Sequence, residues 1–208
     1  MRINHKSLRA FAAGFAYLCR QPLGALGLVI VVIILGGALL AEYLVLADPV
    51  KLSIRDKFLA PSLAHPFGTD YLGRDVLAGI IHGASVTLAI GFSATAVSVI
   101  IGITIGVLAG YYGGWVDNLL MRFTEFFQVL PDLLFAMVLV ALFPPNIYLI
   151  VYAIAVVGWT GIARLTRAEF LKTKEREYVM AERAMGASNL RIIWAIILPN
   201  SLPSLIVL

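Results

Sequence analysis

The chain has 208 residues, of which 61% are hydrophobic and 13% charged, where a soluble domain carries about 25% charged residues. That deficit, with apolar residues gathered in long blocks, excludes a water-soluble core-and-shell protein and points to membrane spans. The net charge is +4 without a basic stripe of interleaved aromatics, which argues against nucleic acid; the lone Cys19 excludes an internal disulfide and argues against a zinc cluster.

In chain order, residues 1–22 form a basic arm with Arg2, Lys6, Arg9 and Arg20. Cys19 reads as a small apolar filler near a helix start. Residues 23–46 follow Pro22 with no charge before Glu42. As a helix they would extend about 36 Å, enough to cross a bilayer with some tilt. The block is too long for a signal-peptide core and no small-residue cleavage site ends it, so it reads as a retained span. Residues 47–82 hold eight charged residues with Pro49, Pro61 and Pro66, the composition of an aqueous segment. Residues 83–111 form an uncharged second span. A third apolar run, 119–143, is interrupted by Glu125 and by Pro131-Asp132, and Pro144-Pro145-Asn146 reads as a turn. Residues 146–163 form a fourth span, 164–191 a second charged segment, and 192–208 the beginning of a fifth span. The fold class is an all-α polytopic membrane bundle with four complete spans and part of a fifth.

Lys and Arg collect on the cytoplasmic side of membrane proteins. With the N-terminus inside, the arm contributes four, Arg122 one and residues 164–191 seven, against four in 47–82 (Lys51, Arg55, Lys57 and Arg74). Twelve against four places 47–82 outside the cell and 164–191 in the cytoplasm.

In the second span Ala94, Ser98, Gly102, Gly106 and Gly110 recur every four residues and share one helix face. Small faces let helices approach closely in lipid, so this one packs either within the subunit or against a partner past which it slides. Glu125 and Asp132 are acids in apolar surroundings. Asp132 reads as a cap of the half-helix after Pro131 or as an interfacial group, with a pathway role as the alternative. Trp159 reads as a packing or membrane-belt residue.

No HExxH, GxSxG or P-loop pattern is present, and His5, His65 and His82 are far apart in sequence and outside the apolar blocks. The informative segment is 164–199. Residues 178–185 read as a short helix ended by Gly186 as its C′ residue, with Ser188 capping the next helix. Two turns are unstable alone in water, and this helix is too short to cross a membrane. It presents Tyr178, Val179, Ala181 and Met185 between charged flanks. Either it packs on the ends of its own spans or it docks into another protein on the cytoplasmic side.

The run Ala181…Gly186…Ile196-Ile197-Leu198-Pro199 resembles the "EAA" loop of permease subunits of ATP-binding-cassette importers. Gly186, Ile196, Leu198 and Pro199 fall on the pattern, with Ala181 as its middle alanine. Met180 stands where the family has Glu, and Glu182 where it has Ala, which leaves Glu177 or Glu182 to supply the charge. The segment from His65 to Asp75 (HPFGTDYLGRD, including Gly68, Thr69, Asp70, Gly73 and Arg74) is similar to one of the dipeptide/oligopeptide/nickel branch. So are Ala109–Asp117 (AGYYGGWVD), Trp159…Ala163-Arg164…Arg167 and Arg176-Glu177-Tyr178-Val179. By turn chemistry alone, Gly68–Asp75 is also an ordinary turn with a helix cap.

The resemblance implies a six-span fold, so a chain stopping in its fifth span is expected to be a fragment. It implies a subunit of the bacterial or archaeal cytoplasmic membrane, not an enzyme, that forms half of a path for peptides, nickel chelates or a related solute. Implied partners are a second permease subunit, two ATPase subunits and an extracytoplasmic binding protein. ATP and Mg belong to the ATPases, and this chain binds no cofactor. Implied ATPase-docking residues are Glu177, Tyr178, Ala181, Glu182, Arg183, Gly186, Ala187 and Ser188. A secondary transporter, which would carry inverted repeats and midplane charges, and a membrane enzyme are the alternatives.

Overall fold

The computed structural model describes residues 19–44, 48–129, 131–144 and 146–206. The chain divides into two units, 1–89 and 90–208, with the boundary inside a long helix.

In the first unit, helix α1 (Pro22–Leu39) starts on a proline at its first turn, where the missing N–H costs nothing, and closes when the Leu40 N–H returns to the Gly36 carbonyl at 3.0 Å. The consecutive residues Val29–Leu35 are all exposed, so α1 is apolar all round, as a lipid-facing helix must be. Its 18 residues rise about 27 Å, close to a hydrocarbon core of about 30 Å. The short helix α2 (Ala41–Leu44) follows.

Residues 48–75 form a folded segment with one 3₁₀ turn, Ile54–Asp56. Residues 68–75 hold residues 53–59 by backbone bonds: Ser53 to Leu72, Phe58 to Asp70, and Thr69 to Leu59. The Thr69 hydroxyl accepts from the Leu59 N–H at 2.9 Å and donates to the Asp56 carbonyl. Gly68 and Gly73 have φ of +73° and +75°, and the Gly73 Cα faces the Ser53 carbonyl so closely that no side chain fits. Asp70 accepts from the N–H groups of Leu72 and Arg74 and from Arg74 Nε at 2.7 Å. The Arg74 N–H chiefly holds its carboxyl below the usual range. Asp75 accepts from the Ala78 N–H at 2.8 Å and pairs with His65 Nδ1 at 2.8 Å. Burial acts to raise its carboxyl, but these bonds win and it titrates below the ordinary value. This N-cap starts helix α3 (Val76–Tyr112) seven residues before the uncharged run, so His82, read as aqueous, is helical.

In the second unit, α3 ends at Gly113 (φ +65°), and Gly114 (φ +57°) turns the chain into α4 (Gly114–Val129). Pro131 separates α4 from α5 (Asp132–Leu142). The third apolar run is therefore a pair of helices broken at Pro131, because proline cannot continue the helix bonding. Pro131 occupies the cap position and Asp132 the first helical one, which corrects the expectation that Asp132 is the cap. Asn146 caps α6 (Ile147–Thr173) by accepting from the Tyr148 N–H at 3.1 Å. Helix α6 runs ten residues past Ala163, so Arg164 and Arg167 lie on a helix and not in a loop. Then come α7 (Glu177–Ala184), α8 (Asn189–Arg191), a π-helical stretch Ile192–Ile197 and α9 (Leu198–Ile206).

Four helices among the described residues are long and apolar enough to cross a membrane, and the broken pair is a fifth candidate. No strand occurs among the described residues beyond a single bridge between Thr69 and Asp75. The protein is an all-α, multi-pass membrane bundle.

Candidate functional site

The small-residue face of α3 packs on α6. The Ser98 hydroxyl donates to the Ala155 carbonyl at 3.3 Å. A Cβ on Gly102 would lie 2.7 Å from Ile162 Cβ; on Gly106, 2.6 Å from Thr166 Cβ; on Gly110, 2.6 Å from Phe170 Cβ. The three glycines are a seam within the subunit, which decides between the two readings of the stripe. Trp159, 3% exposed, stacks on Phe123 of α4 with ring centroids 5.9 Å apart. It is a packing residue.

The seam ends where α3, α4, α6, α7 and the 189–206 helix come together. Arg167 of α6 grips Asp117 of α4 with two bonds, 2.5 and 2.6 Å, a fork-to-carboxylate geometry among the strongest side-chain pairs. Lys174 Nζ donates to the Gly110 carbonyl at 2.9 Å, placing a cation at the C-terminal end of α3. The Tyr111 hydroxyl donates to Asn189 Oδ1 at 2.7 Å. These bonds fix the frame on which α7 sits.

Helix α7 covers Glu177–Ala184, one residue earlier at each end than expected, with Met185 as its C-cap. Gly186 follows at φ +83°. Its N–H bonds the Arg183 carbonyl and the Ala187 N–H bonds the Glu182 carbonyl, both at 3.0 Å, which is the Schellman arrangement. Ser188 caps the next helix by accepting from the Arg191 N–H at 3.4 Å.

Val179, expected to be exposed, is 0% exposed: it enters a core of Val107, Tyr111, Phe170, Ile192, Ile193 and Ile197. The Arg183 guanidinium lies over the Tyr111 ring, 5.8 Å from its centre. These contacts key α7 to the ends of its own spans. Its other side stays open, with Tyr178 45% and Met185 72% exposed. Tyr178, Ala181 and Met185 are spaced i, i+3, i+7 and form one stripe. Glu177 is exposed, and Glu182 and Ala187 are half-buried.

Leu198 and Pro199 end the stretch of π helix. The Leu198 N–H bonds back five residues to the Ile193 carbonyl. Pro199 has no N–H for the Ala195 carbonyl and would crowd it in a regular α-helix. The wider turn relieves that, and the Asn200 side chain donates to the Ile196 carbonyl at 2.6 Å. Gly68, Thr69, Asp70, Gly73, Arg74 and Asp75 belong to the separate segment 48–75. Sequence reasoning named both Asp117 and Arg167 without pairing them, and it missed the Tyr111–Asn189 bond. A search for an acid in the first turn of one helix and a base on the charged end of a neighbouring helix could have found the Asp117–Arg167 pair.

Residues 102–208 match the family model described as "Binding-protein-dependent transport system inner membrane component". The chain is 36% identical over 98% of its length to the dipeptide transport system permease protein DppC of Alkalihalophilus pseudofirmus, covering 67% of that protein. It is 37% identical over 99% of its length to the DppC protein of Bacillus subtilis, covering 64%. It is 31% identical over 99% of its length to the oligopeptide transport system permease protein OppC of Bacillus subtilis, covering 68%. The chain thus spans about two thirds of the length of these curated relatives. Extended similarity to three transport permeases, on an all-helical membrane bundle with an EAA-like loop, shows that the chain belongs to the binding-protein-dependent transport inner-membrane components, among the dipeptide and oligopeptide ABC permeases.

Proposed function

We propose that this chain is the membrane-spanning subunit of an ATP-driven importer of peptides, forming half of the path beside a second permease subunit. Its N-terminus is cytoplasmic, its outer segment 48–75 meets an extracytoplasmic binding protein, and α7 receives two-subunit ATPase movement. Nucleotide and Mg are held by the ATPases.

The observation that carries this reading is the two-sided character of α7. One side is locked into the subunit by Val179 and Arg183. The other presents Tyr178, Ala181 and Met185 at the surface. A push on that open side has a rigid route inward, through the core at Val179 to Tyr111 of α3, Phe170 of α6 and Ile192 of the last helix. Those helices then tilt together, which is how alternating access would be driven. Polar flanks and the basic charge count support a cytoplasmic setting.

The test is uptake of a labelled peptide into proteoliposomes holding the permease pair and the ATPases. Uptake should need ATP on the ATPase side and binding protein on the other. Uptake driven by an ion gradient without ATP would reject the reading in favour of a secondary transporter.

A further inference from the structure

Helices α4 and α6 flank a polar cleft of about 830 Å³ that neither the glycine seam nor α7 uses. This volume suits a small ligand. Its lining includes Arg122, Glu125 and Gln128 from α4, and Arg164 and Ala168 from α6, beside the Asp117–Arg167 pair. The charged lining residues sum to one positive charge. Asp117 is committed to Arg167 by two short bonds. Glu125 lies 3.5 Å from Arg122 in an open pair.

Arg164 stands apart. Its partner is the neutral Gln128, whose Oε1 accepts from Nη1 at 3.0 Å, and among the described residues no carboxylate pairs with it. It is also the first charge on α6 after the uncharged run Ile147–Ala163, which rises about 26 Å. That sets Arg164 near the edge of a hydrocarbon layer of about 30 Å. An arginine at that level carries its head group toward the polar interface, and here the guanidinium stands exposed at the cleft. A guanidinium offers five N–H donors in a planar fork that fits carboxylate and phosphate oxygens; Gln128 takes one.

We propose that this cleft is an oxyanion-binding site in which Arg164 receives a carboxylate or phosphate group. Two sources share that chemistry: the C-terminal carboxylate of a free peptide and the headgroup of an anionic phospholipid. The site does not depend on the transport reading.

The test places a cysteine at Ala168, in a Cys19→Ser background of the assembled transporter in phosphatidylcholine liposomes. Its reaction rates with anionic sulfonatoethyl and cationic trimethylammonioethyl methanethiosulfonates are compared, each normalised to a free thiol. An oxyanion site favours the anionic reagent about tenfold. Arg164→Gln should abolish that preference and Arg164→Lys should keep it. Trialanine, but not trialaninamide, should slow labelling if a peptide carboxylate occupies the site. Phosphatidylglycerol should slow it if a headgroup does, with no such slowing in Arg164→Gln. Either source supports the proposal. An anionic-to-cationic ratio of one or less in the Arg164 protein overturns it whether or not the variants fold. So does a preference that survives Arg164→Gln, or failure of both competitors. The labelling needs no ATP, so a failed uptake assay would remove the importer reading and leave this result standing.

Discussion

Gly106→Ala adds one carbon at the tightest part of the α3–α6 seam. That carbon would stand 2.6 Å from Thr166 Cβ and 3.0 Å from the Arg167 backbone nitrogen, where packed carbons sit at about 3.5–4.0 Å. The helices must separate by about 1 Å. Gly102 and Gly110, one turn to either side, are nearly as close to α6 and lose contact with it. Overpacking of this kind costs about 1–3 kcal/mol. At about 2–4 °C per kcal/mol for a chain of this size, a cost of about 2 kcal/mol lowers the unfolding midpoint in detergent by about 4–8 °C. Gly106→Leu should go further, inserting in the membrane but failing to assemble. The control is Gly36→Ala, where a Cβ meets nothing within 4 Å and the midpoint should hold. The assay is thermal unfolding of the purified protein followed by circular dichroism. A Gly106→Ala midpoint equal to that of the parent and of Gly36→Ala would refute the seam.

Three further outcomes are expected. A cysteine at Ser62, in a Cys19→Ser background, should react with a membrane-impermeant thiol reagent on intact cells, while Cys19 in the parent should not; the reverse pattern would invert the topology. Gly186→Val places a β-branched residue at φ +83°, at a cost of about 1–2 kcal/mol. It should leave insertion intact but reduce ATPase retention and transport, as co-purification and uptake would reveal. Asp75 titrates below the usual carboxylate value, so its stabilising bonds are fully present above about pH 4 and are lost as pH falls through its lowered value. Limited proteolysis between residues 48 and 75 should therefore accelerate below about pH 4, and Asp75→Asn should reduce that acid step, Asp70 keeping its own share, while raising cleavage at neutral pH.

Much of this architecture is readable where a single residue dictates local geometry. Gly186 sits at positive φ and ends α7, Ser188 caps the next helix, and the glycine face of α3 meets another helix, all from chemistry within a few residues. What escaped depends on distant partners. The side of α7 that faces inward was misread, because Val179 and Tyr178 are both apolar and only Tyr111, Phe170 and Ile192 decide which is buried. Arg164 and Arg167 looked like the start of a loop because charge commonly marks the end of a span. Asp117 and Gln128 on α4 give them partners that let the helix continue to Thr173. The early start of α3 came from Asp75, whose cap was legible as a turn motif but whose helix was hidden by charge counting. The π-helical stretch before Pro199 has no periodic signature in the sequence, since it answers a missing N–H and not a pattern of side chains.

The importer account rests on what covers the open stripe of α7, and site-specific crosslinking reads that directly. A photoactivatable thiol reagent on a cysteine at Ala181 should join the chain to an ATPase subunit in the assembled complex, with an adduct yield that changes when ATP is bound. The same reagent at Ser62 should give no ATPase adduct. Absence of an ATPase adduct at Ala181, in a complex shown by its composition to retain the ATPases, would contradict the assignment of α7 as the coupling element.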